Sequence, residues 1–184
     1  MKSEFDCRSN SSILVSRVYV WGMSGVGKST LSKKLARELG YSFIDLDDLI
    51  ESQTGESIKN IFAHKGEDEF RRIEERVLKN KKVVNVVIAT GGGAPCFFDN
   101  AQYMLENGYC IYLKGNTNFI LSRLETSKTV RPLLADALTK EEKHKIIDEL
   151  MIEREPFYSK AHMKVDALKI DLRNLVSRLR SLLV

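Results

Sequence analysis

A stretch near the start of the chain has the residue types and the spacing that hold phosphate groups. Residues 22–30 have the sequence Gly-Met-Ser-Gly-Val-Gly-Lys-Ser-Thr, which fits the pattern G-x-x-x-x-G-K-[ST]. Its glycines allow a tight turn whose backbone N–H groups approach phosphate oxygens. Lys28 adds a positive charge for the outer phosphates, and Ser29 offers a hydroxyl to Mg²⁺. The stretch therefore predicts a nucleotide phosphate site.

The segments on either side of this loop are those that a phosphate-binding loop needs. Residues 18–21 are β-branched or aromatic, which predicts a buried strand. Residues 31–39 carry a leucine at every fourth position, which predicts an amphipathic helix, and Gly40 stands where a C-terminal cap belongs. We therefore expect a phosphate to lie at the N-terminus of this helix.

Acidic side chains that could serve a metal or a substrate follow the second predicted strand. The third predicted strand runs into residues 90–93, Thr-Gly-Gly-Gly, which offer no acid but allow close backbone approach to a ligand, or simply a loose turn. Asp45 and Asp47 follow the second strand, and ligands of parallel sheets gather at such carboxyl ends. One could hold a Mg²⁺-bound water while the other accepts a hydrogen bond from a substrate hydroxyl. The alternative is helix N-capping, which suits Asp48 best.

Three arginines are candidates for binding an anionic ligand, because their planar forks fit carboxylates and phosphates. Arg131 lies in a weakly periodic loop, and Arg154 lies near the end of a predicted helix. For Arg71 the sequence leaves an alternative open, since Glu67 and Glu75 lie four residues to either side and could form ordinary surface ion pairs.

Composition limits the class of protein. The 184 residues are 43% hydrophobic and 29% charged with a net charge of +4, as in a single globular domain that tolerates an anionic ligand. No apolar run approaches a membrane span or a secretory leader, and no basic run suggests a nucleic-acid partner. The cysteines are odd in number, and neither they nor the widely separated histidines have the spacing of a metal site or of a disulfide framework. We therefore expect these side chains to be buried or on the surface, and the protein to be cytoplasmic. These residues are Cys7, Cys96, Cys110, His64, His144 and His162.

Strand and helix signals alternate along the chain, which predicts an α/β fold with a parallel sheet between helices. The predicted strands are 17–21, 42–45, 83–89, 109–113 and 162–166. The predicted helices are 28–39, 46–54, 57–64, 67–80, 99–107, 116–125, 139–154 and 171–183. We expect a flexible extension over 1–16 and one domain over 17–184, with a substrate-binding helical lobe at 46–80 and a lid loop at 125–138.

Taken together, these residues resemble the shikimate kinase family over about nine-tenths of the chain. The resemblance lies in an ordered set of motifs, since many families share the phosphate loop alone. The set comprises residues 22–30, 43–47 with Ile50 and Glu51, 54–58 with Ile61 and Phe62, 66–71 with Glu74, 89–93, 131–134 and 154–158.

The resemblance implies a three-layer P-loop kinase fold with a central parallel five-stranded sheet, and a role for each matching residue. ATP would be bound by Gly25, Val26, Gly27, Lys28, Ser29, Thr30 and Arg131. Shikimate would be bound by Asp47, Arg71, Gly92 and Arg154. Mg²⁺ would be held by Ser29 and, through water, by Asp45. The catalytic groups would be Lys28, Asp47 and Arg131.

The implied reaction is transfer of the γ-phosphate of ATP to the 3-hydroxyl of shikimate, by a monomer that acts on small molecules. The chain departs from the family pattern beside the adenine, where a lid arginine often stands: Leu124 occupies that position and Arg123 precedes it. Residues 167–169 also lack a proline that is common there. The alternatives are a related small-molecule kinase, such as a gluconate kinase, or a nucleotide-binding regulatory domain.

Overall fold

A computed structural model of the chain describes residues 16–80, 83–126 and 139–182. Its centre is a parallel sheet of five strands in the order β2-β3-β1-β4-β5. The strands are β1 (Arg17–Trp21), β2 (Ser42–Asp45), β3 (Val86–Ala89), β4 (Tyr109–Lys114) and β5 (Met163–Asp166). The predicted α/β class and all five strands are therefore confirmed.

The helices pack around this sheet close to their predicted positions. They are α1 (Lys28–Leu39), α2 (Leu46–Thr54), α3 (Ile58–Asn80), α4 (Asn100–Asn107), α5 (Thr117–Glu125), α6 (Lys140–Tyr158) and α7 (Leu172–Ser181), with a short 3₁₀ helix at Ala94–Cys96. Among the described residues, no helix combines the length and the apolar character that crossing a bilayer demands.

The central strands are hydrophobic because helices cover both faces of the sheet. Every residue of β1 and of β3 is buried, as a parallel sheet in the middle layer requires. β3 begins at Val86 rather than at the predicted Val83. Asn85 has a φ of 55°, which breaks the extended backbone just before the strand.

Two helix boundaries differ from a simple pattern. α3 contains Gly66 at φ 79° and ψ 173°, so it consists of two helical parts, as the separate predictions over 57–64 and 67–80 indicated. α6 was expected to end at Arg154 but continues to Tyr158 through Pro156. The extra turn places Arg154 and Tyr158 on the same side of one helix, four residues apart.

The strand register brings the candidate residues to one edge of the sheet. Ala89 is paired with Asp45 on one side and with Val20 on the other. The phosphate loop follows β1, Asp45 ends β2, and Thr90 follows β3. The three strand ends lie at nearly the same level of the sheet. Parallel topology therefore assembles the candidate site at the carboxyl ends of three neighbouring strands.

Candidate active site

The phosphate loop adopts a turn that its glycines make possible. Gly22 has a φ of 137°, and a Cβ there would collide with the carbonyl oxygen of Leu113. Lys28 is largely buried, and its Nζ donates to the carbonyl oxygens of Gly22 at 2.9 Å and of Met23 at 3.0 Å. The loop is thus folded around the ammonium group that is predicted to contact phosphate.

Ser29 and Asp45 meet where the sequence predicted a magnesium site. The Ser29 hydroxyl donates to Asp45 Oδ2 at 2.6 Å. Asp45 Oδ1 also accepts from the backbone N–H of Asp47 at 3.1 Å, so Asp45 is the N-cap of α2. Capping had been assigned preferentially to Asp48; that was wrong, because the helix begins at Leu46, earlier than Asp48 capping would need.

This pair of oxygen ligands fits Mg²⁺, which is usually held in kinases by one or two protein oxygens together with phosphates and water. Within the three described ranges, no group of three or more His, Cys, Asp or Glu side chains is placed to hold a metal ion by itself. The remaining ligands of a cation beside Ser29 and Asp45 would be phosphate oxygens and water, as is usual for Mg²⁺ in kinases.

A pocket beside the phosphate loop contains both of the candidate carboxylate-binding arginines. The exposed fractions are only 5% for Arg71 and 4% for Arg154. The other polar groups of this pocket are Ser24, Asp47 and Glu74 with the backbone of residues 91–93. Its apolar wall is formed by Met23, Ile58, Phe62, Phe70, Ile120, Leu124, Ile147 and Leu150. We call this the acceptor pocket.

Arg71 is a buried residue of this pocket rather than a surface helix charge. Its guanidinium pairs with Glu67 at 2.9 Å and with Glu74 at 2.7 Å, and it lies 4.2 Å from the ring centroid of Phe97. The predicted partner Glu67 is confirmed. The alternative pair of Arg71 with Glu75 does not form, because Glu75 pairs with Lys79 at 2.7 Å.

Gly92 lies where the phosphate loop and the acceptor pocket approach each other. A Cβ at Gly92 would come within 2.6 Å of Ser24 Oγ and 3.5 Å of Arg154 Nη1. The Tyr158 hydroxyl donates to the carbonyl oxygen of Gly92 at 2.5 Å, and burial raises the pKa of Tyr158. A glycine is needed here because the phosphate loop and α6 leave no room for a side chain.

The second pocket follows the phosphate loop and is continuous with the first. Its lining includes Lys28, Ser29, Asp45 and Arg123, and it shares Asp47 and Gly92 with the acceptor pocket. The phosphate loop and Asp47 therefore line one and the same pocket. This arrangement suits transfer of a phosphoryl group between two ligands held in line.

Arg123 is a candidate that sequence reasoning did not assign to the site. Its guanidinium carbon lies 3.7 Å from where a Cβ of Gly27 would be and 5.5 Å from the ring centroid of Phe119. Leu124 instead lies against Gly25 and lines the acceptor pocket. The helical spacing of Phe119 and Arg123, four residues apart, was the signal that could have found this contact.

The remaining predictions have mixed outcomes. Cys110 is buried, as expected, and its backbone N–H donates to His162 Nδ1 at 3.0 Å, which gives this histidine a structural role. Residues 1–15 of the extension predicted over 1–16, most of the predicted lid, and Arg131 lie outside the described residues.

Comparison with known proteins decides the family. A family model described as shikimate kinase matches residues 24–182. The chain belongs to the shikimate kinase family. Among its relatives, the shikimate kinase of Parabacteroides distasonis is 43% identical over 155 residues, which are 84% of this chain and 89% of that protein.

Solved structures of the shikimate kinase family share the fold. The shikimate kinase of Bacteroides thetaiotaomicron superposes with a TM-score of 0.82 at 35% identity, covering 91% of this chain and 97% of that one. The enzyme of Acinetobacter baumannii, solved in complex with shikimate, gives 0.80 at 31% identity, covering 95% and 96%. The three-layer P-loop kinase fold and ATP-dependent phosphotransferase activity are thereby confirmed.

Proposed function

We propose that this chain transfers the γ-phosphate of ATP to the 3-hydroxyl of shikimate, giving shikimate 3-phosphate and ADP. The observation that carries the proposal is the continuity of two pockets that meet at Asp47 and Gly92. One pocket has the phosphate loop, and the other has two buried arginines suited to a carboxylate. Family membership supplies the identity of the acceptor, which the pocket chemistry then supports.

On the donor side, residues 25–30 would bind the phosphates through backbone N–H groups and Lys28. Ser29 would bind Mg²⁺ directly and Asp45 would bind it through water, consistent with the hydrogen bond that already joins them. When bound, Mg²⁺ neutralises charge on the β- and γ-phosphates. Arg131 keeps its proposed role toward the transferring phosphate, from outside the described residues.

On the acceptor side, Arg71 and Arg154 would bind the carboxylate of shikimate. Both are already desolvated and held in place, so little side-chain entropy is lost on binding. Asp47 lies between the pockets, where it would accept a hydrogen bond from the attacking hydroxyl and either orient it or take its proton. The Gly92 backbone would contact the ring.

The adenine end of ATP would lie beside Arg123. Arg123 and Phe119 border a third cavity next to Gly27, whose lining also includes Lys34 and Ile170. A guanidinium stacks on planar rings as well as on side chains, so Arg123 can hold the base from the position before Leu124. This assignment replaces the arginine that the family pattern places at Leu124.

The alternative of a gluconate kinase is disfavoured by the acceptor pocket. Its wall is largely apolar, with Phe62 and Phe70 in contact at 4.6 Å between ring centroids. Such a wall suits a cyclic acceptor with an apolar face better than an open polyhydroxylated chain. A regulatory domain without catalysis would not need the buried arginine pair. We further propose that the protein acts as a cytoplasmic monomer.

The experiment is a coupled assay for ADP with ATP, Mg²⁺ and either shikimate or gluconate. We expect turnover with shikimate and little with gluconate. Lys28→Ala serves as the inactive control, with circular dichroism to verify folding. Folded wild-type protein that turns over gluconate but not shikimate would contradict the proposal, as would ATP binding without transfer to either acceptor.

A further inference from the structure

Glu74 is a buried carboxyl group in the acceptor pocket to which the proposed mechanism gives no task. Its side chain has no exposed surface, and its Oε2 accepts from Arg71 Nη1 at 2.7 Å. Its Oε1 is also buried and has no hydrogen-bond partner among the described residues. An ionised oxygen that is buried without a donor costs far more free energy than a neutral, protonated one. The geometry thus favours a proton at Oε1.

The ionisation of Glu74 depends on charged side chains of its own helix and of the neighbouring helices. Arg71 belongs to the same helix, and Arg154 of α6 contributes a second positive charge. Asp47 of α2 contributes a negative charge, and its Oδ1 and the Glu74 Oε1 both lie beside Gly91, at 3.0 Å and 2.6 Å from where a Cβ of that glycine would be.

The balance among these groups places the titration of Glu74 near neutrality. Burial, with help from Asp47, raises the pKa of Glu74 to about 7, while Arg71 and Arg154 act in the opposite direction. Cys96 of the 3₁₀ helix also faces this carboxyl group, but burial raises its own pKa to about 11, so it stays neutral. Any new negative charge beside the two arginines would therefore shift Glu74 toward its protonated form.

We propose that Glu74 takes up one proton from solvent when the carboxylate of the acceptor binds to Arg71 and Arg154. The inference rests on the proposed function, because it needs a carboxylate-bearing acceptor in this pocket. The acceptor brings one negative charge, a solvent proton brings one positive charge, and the only bond formed is O–H at Glu74. The neutral carboxyl group then no longer repels the carboxylate of Asp47.

Glu67 provides a matched control within the same ion-pair cluster. It binds the guanidinium of Arg71 at 2.9 Å, as Glu74 does at 2.7 Å, but its side chain is 39% exposed against 0% for Glu74. Glu67 therefore shares the contact with Arg71 but not the burial of Glu74. Comparing Glu67→Gln with Glu74→Gln separates proton uptake from loss of an Arg71 partner.

The experiment is titration calorimetry of shikimate into the full chain, in two buffers of different ionisation enthalpy near neutral pH. At about pH 8, where Glu74 of the free protein is mostly ionised, we expect net proton uptake approaching one for wild type and for Glu67→Gln, and none for Glu74→Gln; at about pH 7 the wild-type uptake should be about half a proton. Above the pKa of Glu74, the Kd of wild type for shikimate should rise by up to about tenfold per pH unit, whereas that of Glu74→Gln should stay flat.

Wild-type binding with the same heat in both buffers would overturn the inference, and so would undiminished proton uptake by Glu74→Gln. If that variant does not fold, infrared difference spectra of wild type take its place. A protonated-carboxyl band that appears on adding shikimate supports the inference, and its absence overturns it. Failure of the proposed function is distinguishable, because shikimate would then give no binding heat in any buffer.

Discussion

The hydroxyl of Tyr158 donates a hydrogen bond to the carbonyl oxygen of Gly92 at 2.5 Å, across two segments that are far apart in the chain. Tyr158 lies one helical turn after Arg154 in α6, and Arg154 reaches the same glycine loop. The last turn of α6 therefore supplies the arginine that is proposed to bind the acceptor and also fixes the backbone that the acceptor is proposed to contact.

Removing this hydroxyl with Tyr158→Phe should loosen the Gly92 peptide while leaving the ring packed. Loss of one buried hydrogen bond costs about 1 kcal/mol, so the KM for shikimate should rise about fivefold with the KM for ATP unchanged. Tyr103→Phe is the control, since Tyr103 bonds to the Lys79 carbonyl at 3.3 Å, away from both pockets. Equal effects of the two variants on both substrates would contradict a positioning role.

Asp47→Asn tests the group placed between donor and acceptor. The amide keeps the shape but cannot accept a proton, so kcat should fall by about a hundredfold or more, with nucleotide affinity largely retained. Asp48→Asn makes the same change at the exposed neighbouring position and should behave like wild type. Near-normal turnover of Asp47→Asn would remove Asp47 from the mechanism.

Arg71→Lys tests whether the planar fork, rather than charge alone, binds the acceptor. A lysine retains a partner for Glu74 but cannot hold a carboxylate in bidentate fashion, so the KM for shikimate should rise about tenfold. Arg72→Lys is the control, on the exposed side of the same helix. A KM unchanged from wild type would leave Arg71 with only its ion pairs to Glu67 and Glu74.

Stability should also depend on pH through Glu74. Burial raises the pKa of Glu74 from its ordinary value of 4.5 to about 7 in the folded chain, so the unfolded chain loses this proton first as pH rises. Glu74 therefore contributes to the stability of the folded state below its pKa in the unfolded chain. This contribution is lost as the pH rises from about 4.5 to about 7. Urea unfolding should show Glu74→Gln gaining stability relative to wild type between pH 5 and pH 8. A constant difference would contradict the titration.

Local features of the site could be predicted from the sequence, because strand, loop and helix occur in immediate succession. The phosphate loop, Asp45 and Asp47 all follow apolar strands directly, and parallel pairing then brings them to one edge. The geometry of Lys28 and Ser29 follows from the same local pattern. Such residues can be predicted without knowing which face of a helix points into the protein.

Predictions that depended on helix phase were less successful. Glu74 and Glu75 differ by one residue, or about 100° around α3, yet one is fully buried against Arg71 while the other pairs with Lys79. The spacing of the charged residues alone favours Glu75 as much as Glu67 as an ion-pair partner of Arg71. Only the packing of α3 against α2, α4 and the 3₁₀ helix decides which carboxylate lies inside.

Arg123 and Leu124 present the same problem, and they give the last prediction. The phase of α5 turns Arg123 toward Gly27 and the third cavity, and turns Leu124 toward Gly25 and the acceptor pocket. Arg123→Ala should therefore raise the KM for ATP about fivefold, through loss of a cation–π contact of about 1 kcal/mol, without changing the KM for shikimate. Leu124→Ala should act mainly on the KM for shikimate, because it enlarges the acceptor pocket, with a smaller effect on ATP since Leu124 also borders the second pocket. If Leu124→Ala alone weakened ATP binding, the adenine would lie against Leu124 and the assignment of Arg123 would be wrong.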